Sequence, residues 1–238
     1  MGEHQLDKLG VTGSSPVPPI ADRNPACCAG HDDFDRTLSR INFGPSPAHA
    51  RILAMNLPDG VVLRPLTMNR DSRGSFTELF RDEWDTGLSP VQWNAVSSEP
   101  GTLRGVHLHI RHDDYLTVLK GRACVGLRDL RRGSPTEELS VLVELTEDPL
   151  AALVIPHGVA HGFYFPEPSL HLYAVTNYWD VDDELACHWA DPDLGISWPA
   201  EPTIVSKRDA TAPSLAQLLG ELELSQQTRE LAQPIPGA

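Results

Sequence analysis

The sequence predicts an all-β protein: a small barrel or jelly roll with an arm ahead of it and one short helix behind. Three observations carry that prediction. Short β-rich runs recur from Val61 to Thr176 between Gly, Pro, Asp and Ser turn signals, the texture of a barrel or sandwich. No Gly-rich phosphate loop follows any of these runs, which sets aside the doubly wound nucleotide folds. Finally, His107 and His109 stand one residue apart and His161 follows a Pro156-His-Gly158 turn. Side chains on a strand alternate with a period of two, so the first pair shares a face and the third can converge on it from a neighbouring strand.

Residues 1–50 form the first segment. Ser14-Ser15-Pro16-Val-Pro18-Pro19, Asn24-Pro25 and Gly44-Pro45-Ser-Pro47 interrupt every helical or strand period there, and the segment reads as a flexible or extended arm. Its vicinal Cys27-Cys28 and His31-Asp32-Asp33 read as a solvated tail on composition. Residues 51–213 form the barrel. Its strands are expected over Val61–Leu63, Ser75–Phe80, Leu103–Ile110, Tyr115–Leu119, Ala123–Leu127, Val141–Leu145, Ala152–Ile155, Gly162–Phe165 and Leu170–Thr176. Residues 214–238 form a C-terminal helix and tail. Leucines at 215, 218, 219 and 222 keep helical spacing behind Pro213, and Ser214 with Gln217 makes a capping box.

The chain has 238 residues, 40% of them hydrophobic, enough for one core domain of about 150 to 180 residues with tails. A net charge of -14 argues against nucleic acid or an anionic membrane as partner, since either needs a basic surface field. Any phosphate in a substrate must then meet a local arginine cluster. The four cysteines form neither a zinc knuckle nor a disulfide framework, which suits a reducing cytoplasm. The N-terminus lacks the pattern of a secretory signal, and no apolar run is long enough to span a bilayer.

His107, His109 and His161, with the carboxylate of Asp114, suit either a divalent metal or proton transfer to a bound substrate. Several further motifs occur in a fixed order: Arg73-Gly-Ser-Phe76-Thr-Glu78, Gln92-Trp-Asn94, Leu103-Arg104-Gly105-Val-His107, Pro156-His-Gly158-Val-Ala-His161-Gly162-Phe163, Tyr173-Ala-Val-Thr-Asn177-Tyr178 and Trp189-Ala-Asp191 running to Trp198-Pro199. Together, over roughly residues 60 to 215, they resemble the dTDP-4-dehydrorhamnose 3,5-epimerase family of cupin-fold, usually homodimeric enzymes. The resemblance implies a nucleotide-sugar substrate, a 4-keto-6-deoxyhexose whose ketone acidifies neighbouring C–H bonds, and requires no cofactor. It makes His107 the base, Asp191 the carboxylate that orients it, and Tyr173 the acid across the sugar. Arg104 would meet the diphosphate or the sugar. Arg73, Phe76 and Glu78 would hold the nucleotide, from the partner subunit if the dimer is built that way, and Asn94, His161 and Tyr178 would line the pocket. Simple alternation puts Arg104 on the face opposite His107 unless Gly105 bulges the strand.

Two positions depart from the family pattern. Its enolate-stabilising lysine is replaced by Asp114, which would repel an oxyanion where a cation stabilises it. Its glutamine two residues beyond the base is His109. Gly101, His107, His109, Asp114 and Gly121 instead fit the first motif of metal-dependent cupins, with Asp for Glu. Pro156, Gly158 and His161 fit much of the second, with Phe165 in place of its final Asn. The alternative is therefore a metal-dependent oxygenase, cyclase or isomerase holding Fe, Mn, Ni or Zn on His107, His109, Asp114 and His161. Such an ion would also replace the lysine as Lewis acid. A non-catalytic sugar-nucleotide binding protein is the third reading. His171 shares strand parity with Tyr173 and is expected to face the pocket, whereas His112 and His157 read as loop residues.

Overall fold

A computed structural model describes residues 56–231. The arm at 1–50, with Cys27-Cys28 and His31-Asp32-Asp33, lies outside the described residues, as does the end of the tail. Two antiparallel sheets face each other as a jelly roll. The first orders β1 (Val62–Pro65), β9 (Ala151–Ile155), β6 (Asp114–Lys120), β11 (Ser169–Val175) and β4 (Gln92–Ser98). The second orders β12 (Leu185–Ala186), β5 (Thr102–Leu108), β10 (Val159–Phe165), β7 (Arg122–Asp129) and β8 (Ser140–Thr146), with β13 (Ile204–Val205) lying parallel to β5. A separate hairpin joins β2 (Met68–Asp71) and β3 (Gly74–Thr77).

The predicted runs fall on these strands with bounds shifted by a few residues, and β2, β4, β12 and β13 were not among them. β4 alternates exposed and part-buried residues because it sits at an edge of the first sheet. The Ser75–Phe80 run pairs only through Thr77. Leu116 and Val118 of β6 enter the core with Val125, Leu127, Val143, Leu145, Leu153, Ile155 and Phe165. On the other face of β6, Tyr115 is fully buried by Leu66, Leu88 and part-buried Phe80 and Trp84. β6 is thus apolar on both faces and reads as a continuous hydrophobic run rather than an alternation.

β5 carries the bulge that alternation demanded. His161 of β10 pairs with His107, yet Phe163, two residues on, pairs with Arg104, three residues back. One extra residue is thereby inserted beside Gly105, where φ is +109°. A Cβ at Gly105 would lie 2.8 Å from Gly162 Cα and 2.9 Å from the His161 carbonyl oxygen, so the backbones approach closely here. The extra residue resets the side-chain parity and puts Arg104 and His107 on one cavity.

Beyond the strands, α1 (Lys207–Ala210) is a single capped turn and α2 spans Leu215–Leu231, longer than the sequence spacing indicated. The capping box forms as expected: Ser214 N donates to Gln217 Oε1 at 2.9 Å and Gln217 N to Ser214 Oγ at 3.2 Å. Leu215 and Leu218 are buried against Val106, Leu108, Ala160 and Leu194 on the outer face of the second sheet.

Candidate active site

A cavity of about 290 Å³ opens between the two sheets. β5 brings Arg104 and His107 to it, β10 brings His161 and Phe163, β6 brings Asp114, and β11 brings His171 and Tyr173. The turn at α1 closes one side with Ser206, Arg208 and Asp209, and Glu184 approaches from the segment ahead of β12.

His107 and Asp209 form a close pair, Nε2 to Oδ1 at 2.9 Å, with little exposure of either side chain. The carboxylate is placed by two backbone features. Ser206 caps α1 by accepting from Asp209 N at 3.1 Å, and Gly105 N donates to Asp209 Oδ2 at 3.3 Å. Burial pushes the Asp209 carboxyl up, but the hydrogen bonds from His107, Gly105 and Ser206 outweigh it and hold the group at about 2. An ionised carboxylate beside the imidazole stabilises its charged form. The Arg208 guanidinium places Nη2 against the same His107 Nε2 and is anchored through Nη1 to Glu184 at 2.9 Å.

Asp191, expected behind His107, is elsewhere. It caps the turn at 192–194, accepting from Asp193 N at 2.9 Å, and its other oxygen accepts from Leu215 N at 2.9 Å at the start of α2. Both oxygens are engaged by backbone donors, so the carboxylate that meets His107 is Asp209. Sequence reasoning missed it, although Ser206-Lys-Arg-Asp209 carries the serine-to-acid spacing of a capped helix start.

The remaining expected residues divide into two groups. Tyr173 lines the cavity, and burial pushes its phenol up, reinforced by the charges of Asp114 and Glu184. Arg104 lines it too, its guanidinium braced on Ser98 Oγ at 3.0 Å and on the Ser97 carbonyl at 3.2 Å. His171 is buried there as its parity implied, with Nδ1 unpartnered, and stacks between Phe165 and Tyr173. Asn94 pairs in register with Tyr173 and borders a small adjoining pocket with His109 and Asp114. Tyr178 is 74% exposed and lies off the cavity wall, where Trp179 stands instead. Arg73, Phe76 and Glu78 belong to the β2–β3 hairpin region: Arg73 pairs with Asp71, Phe76 is exposed, and Glu78 pairs with Arg81. Among the described residues, this hairpin has a groove of its own, and none of the three lines the histidine cavity.

The metal set read from the sequence also changes. His107 Nε2 is taken by Asp209, whereas His112, in the loop between β5 and β6, is buried and turned inward. His109, His112 and His161 present their Nε2 atoms to one oxygen, Asp114 Oδ2, at 3.9, 4.0 and 3.7 Å. Burial, then neighbouring histidines, lowers His109 to about 4 and holds His161 well below the usual range. Asp114 is pushed well up by burial and by the charges of Glu184, Asp113 and Asp183. His157 is an exposed loop residue paired with Asp113 at 2.8 Å.

Residues 54–217 match the family model of dTDP-4-dehydrorhamnose 3,5-epimerase. This chain belongs to the dTDP-4-dehydrorhamnose 3,5-epimerase family. A family enzyme of that name from Sinorhizobium fredii is 32% identical over 177 residues, spanning 69% of this chain and 89% of the relative. The dTDP-6-deoxy-D-glucose-3,5-epimerase of Legionella pneumophila, solved with dTDP-4-keto-L-rhamnose, superposes with a TM-score of 0.64 at 31% identity over 68% of this chain and 94% of its own. A 3'-monoepimerase of Streptomyces bikiniensis, solved with dTDP-quinovose, gives 0.63 at 25% identity over 73% and 98%. The jelly roll is thus the cupin-type fold of this epimerase family. Membership favours the epimerase over an oxygenase or cyclase on the same barrel.

Proposed function

We propose that this chain epimerises a nucleotide-activated 4-keto-6-deoxysugar by enolisation, in making a deoxysugar or a glycosylated metabolite. The observation that carries the reading is the His107–Asp209 pair at 2.9 Å on a cavity that also holds Tyr173. A C–H bond beside the ketone gives its proton to the His107 imidazole, its bonding pair becomes the C=C bond, and the carbonyl π pair moves to oxygen. Asp209 stabilises the imidazolium so formed. Collapse of the enolate draws a proton from the Tyr173 hydroxyl onto carbon, and inversion follows where that proton arrives on the face opposite the one removed. Solvent then reprotonates the phenolate and accepts the imidazolium proton. No oxidation state changes, so the proton traffic needs no redox cofactor.

Arg104 offers a cation at the cavity wall for the diphosphate or sugar. The hairpin bearing Arg73, Phe76 and Glu78 is read as the nucleotide grip presented to the partner of a homodimer; an exposed aromatic beside an exposed arginine suits a base and a phosphate. No helix among the described residues is long and apolar enough to cross a membrane. With the cysteine usage, that supports placing the enzyme in the cytoplasm. The test is deuterium wash-in from D2O into dTDP-4-keto-6-deoxyglucose, followed by mass spectrometry. Exchange that His107→Asn abolishes is expected, and wild-type protein that never exchanges label overturns the reading.

A further inference from the structure

We propose that Asp114, His109, His112 and His161 bind one divalent first-row transition-metal ion at the wall of the cavity that holds His107 and Tyr173. Each imidazole commits its other nitrogen to a fixed acceptor. His109 Nδ1 faces the Asp183 carbonyl oxygen at 3.1 Å, and His161 Nδ1 faces the Val159 carbonyl oxygen at 3.1 Å. A carbonyl only accepts, so both Nδ1 atoms carry the proton. His112 Nδ1 lies 2.9 Å from Asp183 Oδ2, and that carboxylate also accepts from Ile110 N at 2.9 Å and Arg111 N at 3.3 Å. The proton on His112 is fixed on Nδ1 in the same way.

In the neutral ring, each Nε2 is therefore a bare lone pair. All three converge on Asp114 Oδ2 at 3.7–4.0 Å, beyond hydrogen-bonding distance, and none has a proton to offer. Three lone pairs and a carboxyl at 7% exposure thus meet in a buried site without a hydrogen bond among them, a need that a cation between them would meet. Ligand atoms of His109, His112 and Asp114 all lie within 4.8 Å of one another, and His161 joins them from β10 with Nε2 at 3.7 Å from Asp114 Oδ2; metal bonds of about 2.0 to 2.2 Å would draw the set closer. Asp183 is 1% exposed; it orients His112 through its side chain and His109 through its carbonyl, the outer-shell arrangement that metal-binding histidines use.

Three neutral imidazoles and one carboxylate select a first-row divalent ion over calcium or magnesium. His109, Asp114 and His161 line the cavity directly, so the ion keeps a position open towards bound ligand. Binding of the ion stands on this geometry alone. What it does rests on the epimerase reading: it stands where the family resemblance expects a lysine and offers the ketone oxygen a positive charge as the enolate forms.

The test uses full-length protein purified without chelators, in wild type and in His112→Ala and His112→Asn, with circular dichroism to confirm that each folds. Metal content is measured by mass spectrometry, and metal-free protein is titrated with Co(II), Zn(II), Fe(II), Mn(II) and Ni(II), visible ligand-field bands being followed for Co(II). The site predicts about one ion per chain and histidine-ligated Co(II) bands in wild type, with affinity at least roughly tenfold weaker in both variants. Wild type that takes up none of the five ions, or variants that bind as tightly as wild type, overturn it. Deuterium exchange is run on the same samples. Exchange at an equal rate with and without metal, with no Co(II) bands, removes the site and leaves the epimerase. A bound ion lost in both variants, with no exchange at all, leaves the site and removes the epimerase.

Discussion

Asp209 and Asp191 are both acidic residues of the C-terminal third, yet their surroundings give them opposite duties. Asp209 meets an imidazole, and Asp191 meets two backbone amides. Asp209→Asn is expected to lower kcat/KM by about 10²- to 10⁴-fold, the range of general acid–base catalysis, and to change the pH profile of the exchange rate because His107 loses its anion. Asp191→Asn should leave that profile unmoved and lower stability by about 1 kcal/mol through a weakened cap, read as a small drop in Tm. The Asp209 carboxyl titrates at about 2 in the folded chain against 3.8 ordinarily. Its folded value lies below its unfolded one, so its stabilisation is full above 3.8 and lost as pH falls through 2. Urea unfolding of wild type and Asp209→Asn should accordingly converge as the pH is lowered across that window. Tyr173→Phe separates the two protons: label should still enter through His107 while inversion falls, which NMR of the recovered sugar measures.

At the scale of elements, strand periodicity and turn residues already place most of the barrel, because a strand's two faces write themselves into the sequence. His107 and His161 were legible for the same reason, Tyr173 came from the family resemblance, and His171 from its parity with Tyr173. Asp209 was not, since its partner stands 102 residues away and the contact depends on β13 docking parallel to β5, a pairing with no local signature. His112 was legible as a loop residue but not as a buried one; what turns it inward is Asp183 on a distant segment. The bulge at Gly105 could be inferred only as the condition for Arg104 and His107 to share a face. Gly105→Ala tests it. A Cβ there meets backbone at 2.8 and 2.9 Å, with φ at +109°, so the strand must shift. Exchange activity and Tm are both expected to fall, with strain of about 1 to 3 kcal/mol. Leu218→Ala, by contrast, should cost about 2 to 5 kcal/mol of stability for a buried leucine lost from the helix–sheet contact, with the proton chemistry unchanged at temperatures where the fold persists.

For the molecule as a whole, the question is how the exposed hairpin and the histidine cavity come to serve one substrate. The side chain of Arg73 is 88% exposed and Phe76 is 63% exposed, while the first sheet ends in the open edge of β4 with Trp93 outward. A two-fold dimer would cover such surfaces and carry one protomer's hairpin to the other's cavity. Under that arrangement each site takes His107 from one chain and Arg73 from its partner. Arg73→Ala and His107→Asn homodimers are then both expected to be weak or inactive, and the decisive sample is their mixture. A hybrid dimer holds one site with both defects and one with neither. Random reassortment at equal amounts makes about half of the dimers hybrid, each with one intact site of two, so about a quarter of wild-type activity should return. If Arg73 and His107 serve the same protomer's site, every site in the mixture carries a defect. The exchange rate would then stay at the average of the two parents, and the hairpin would lose its assignment to the partner's nucleotide.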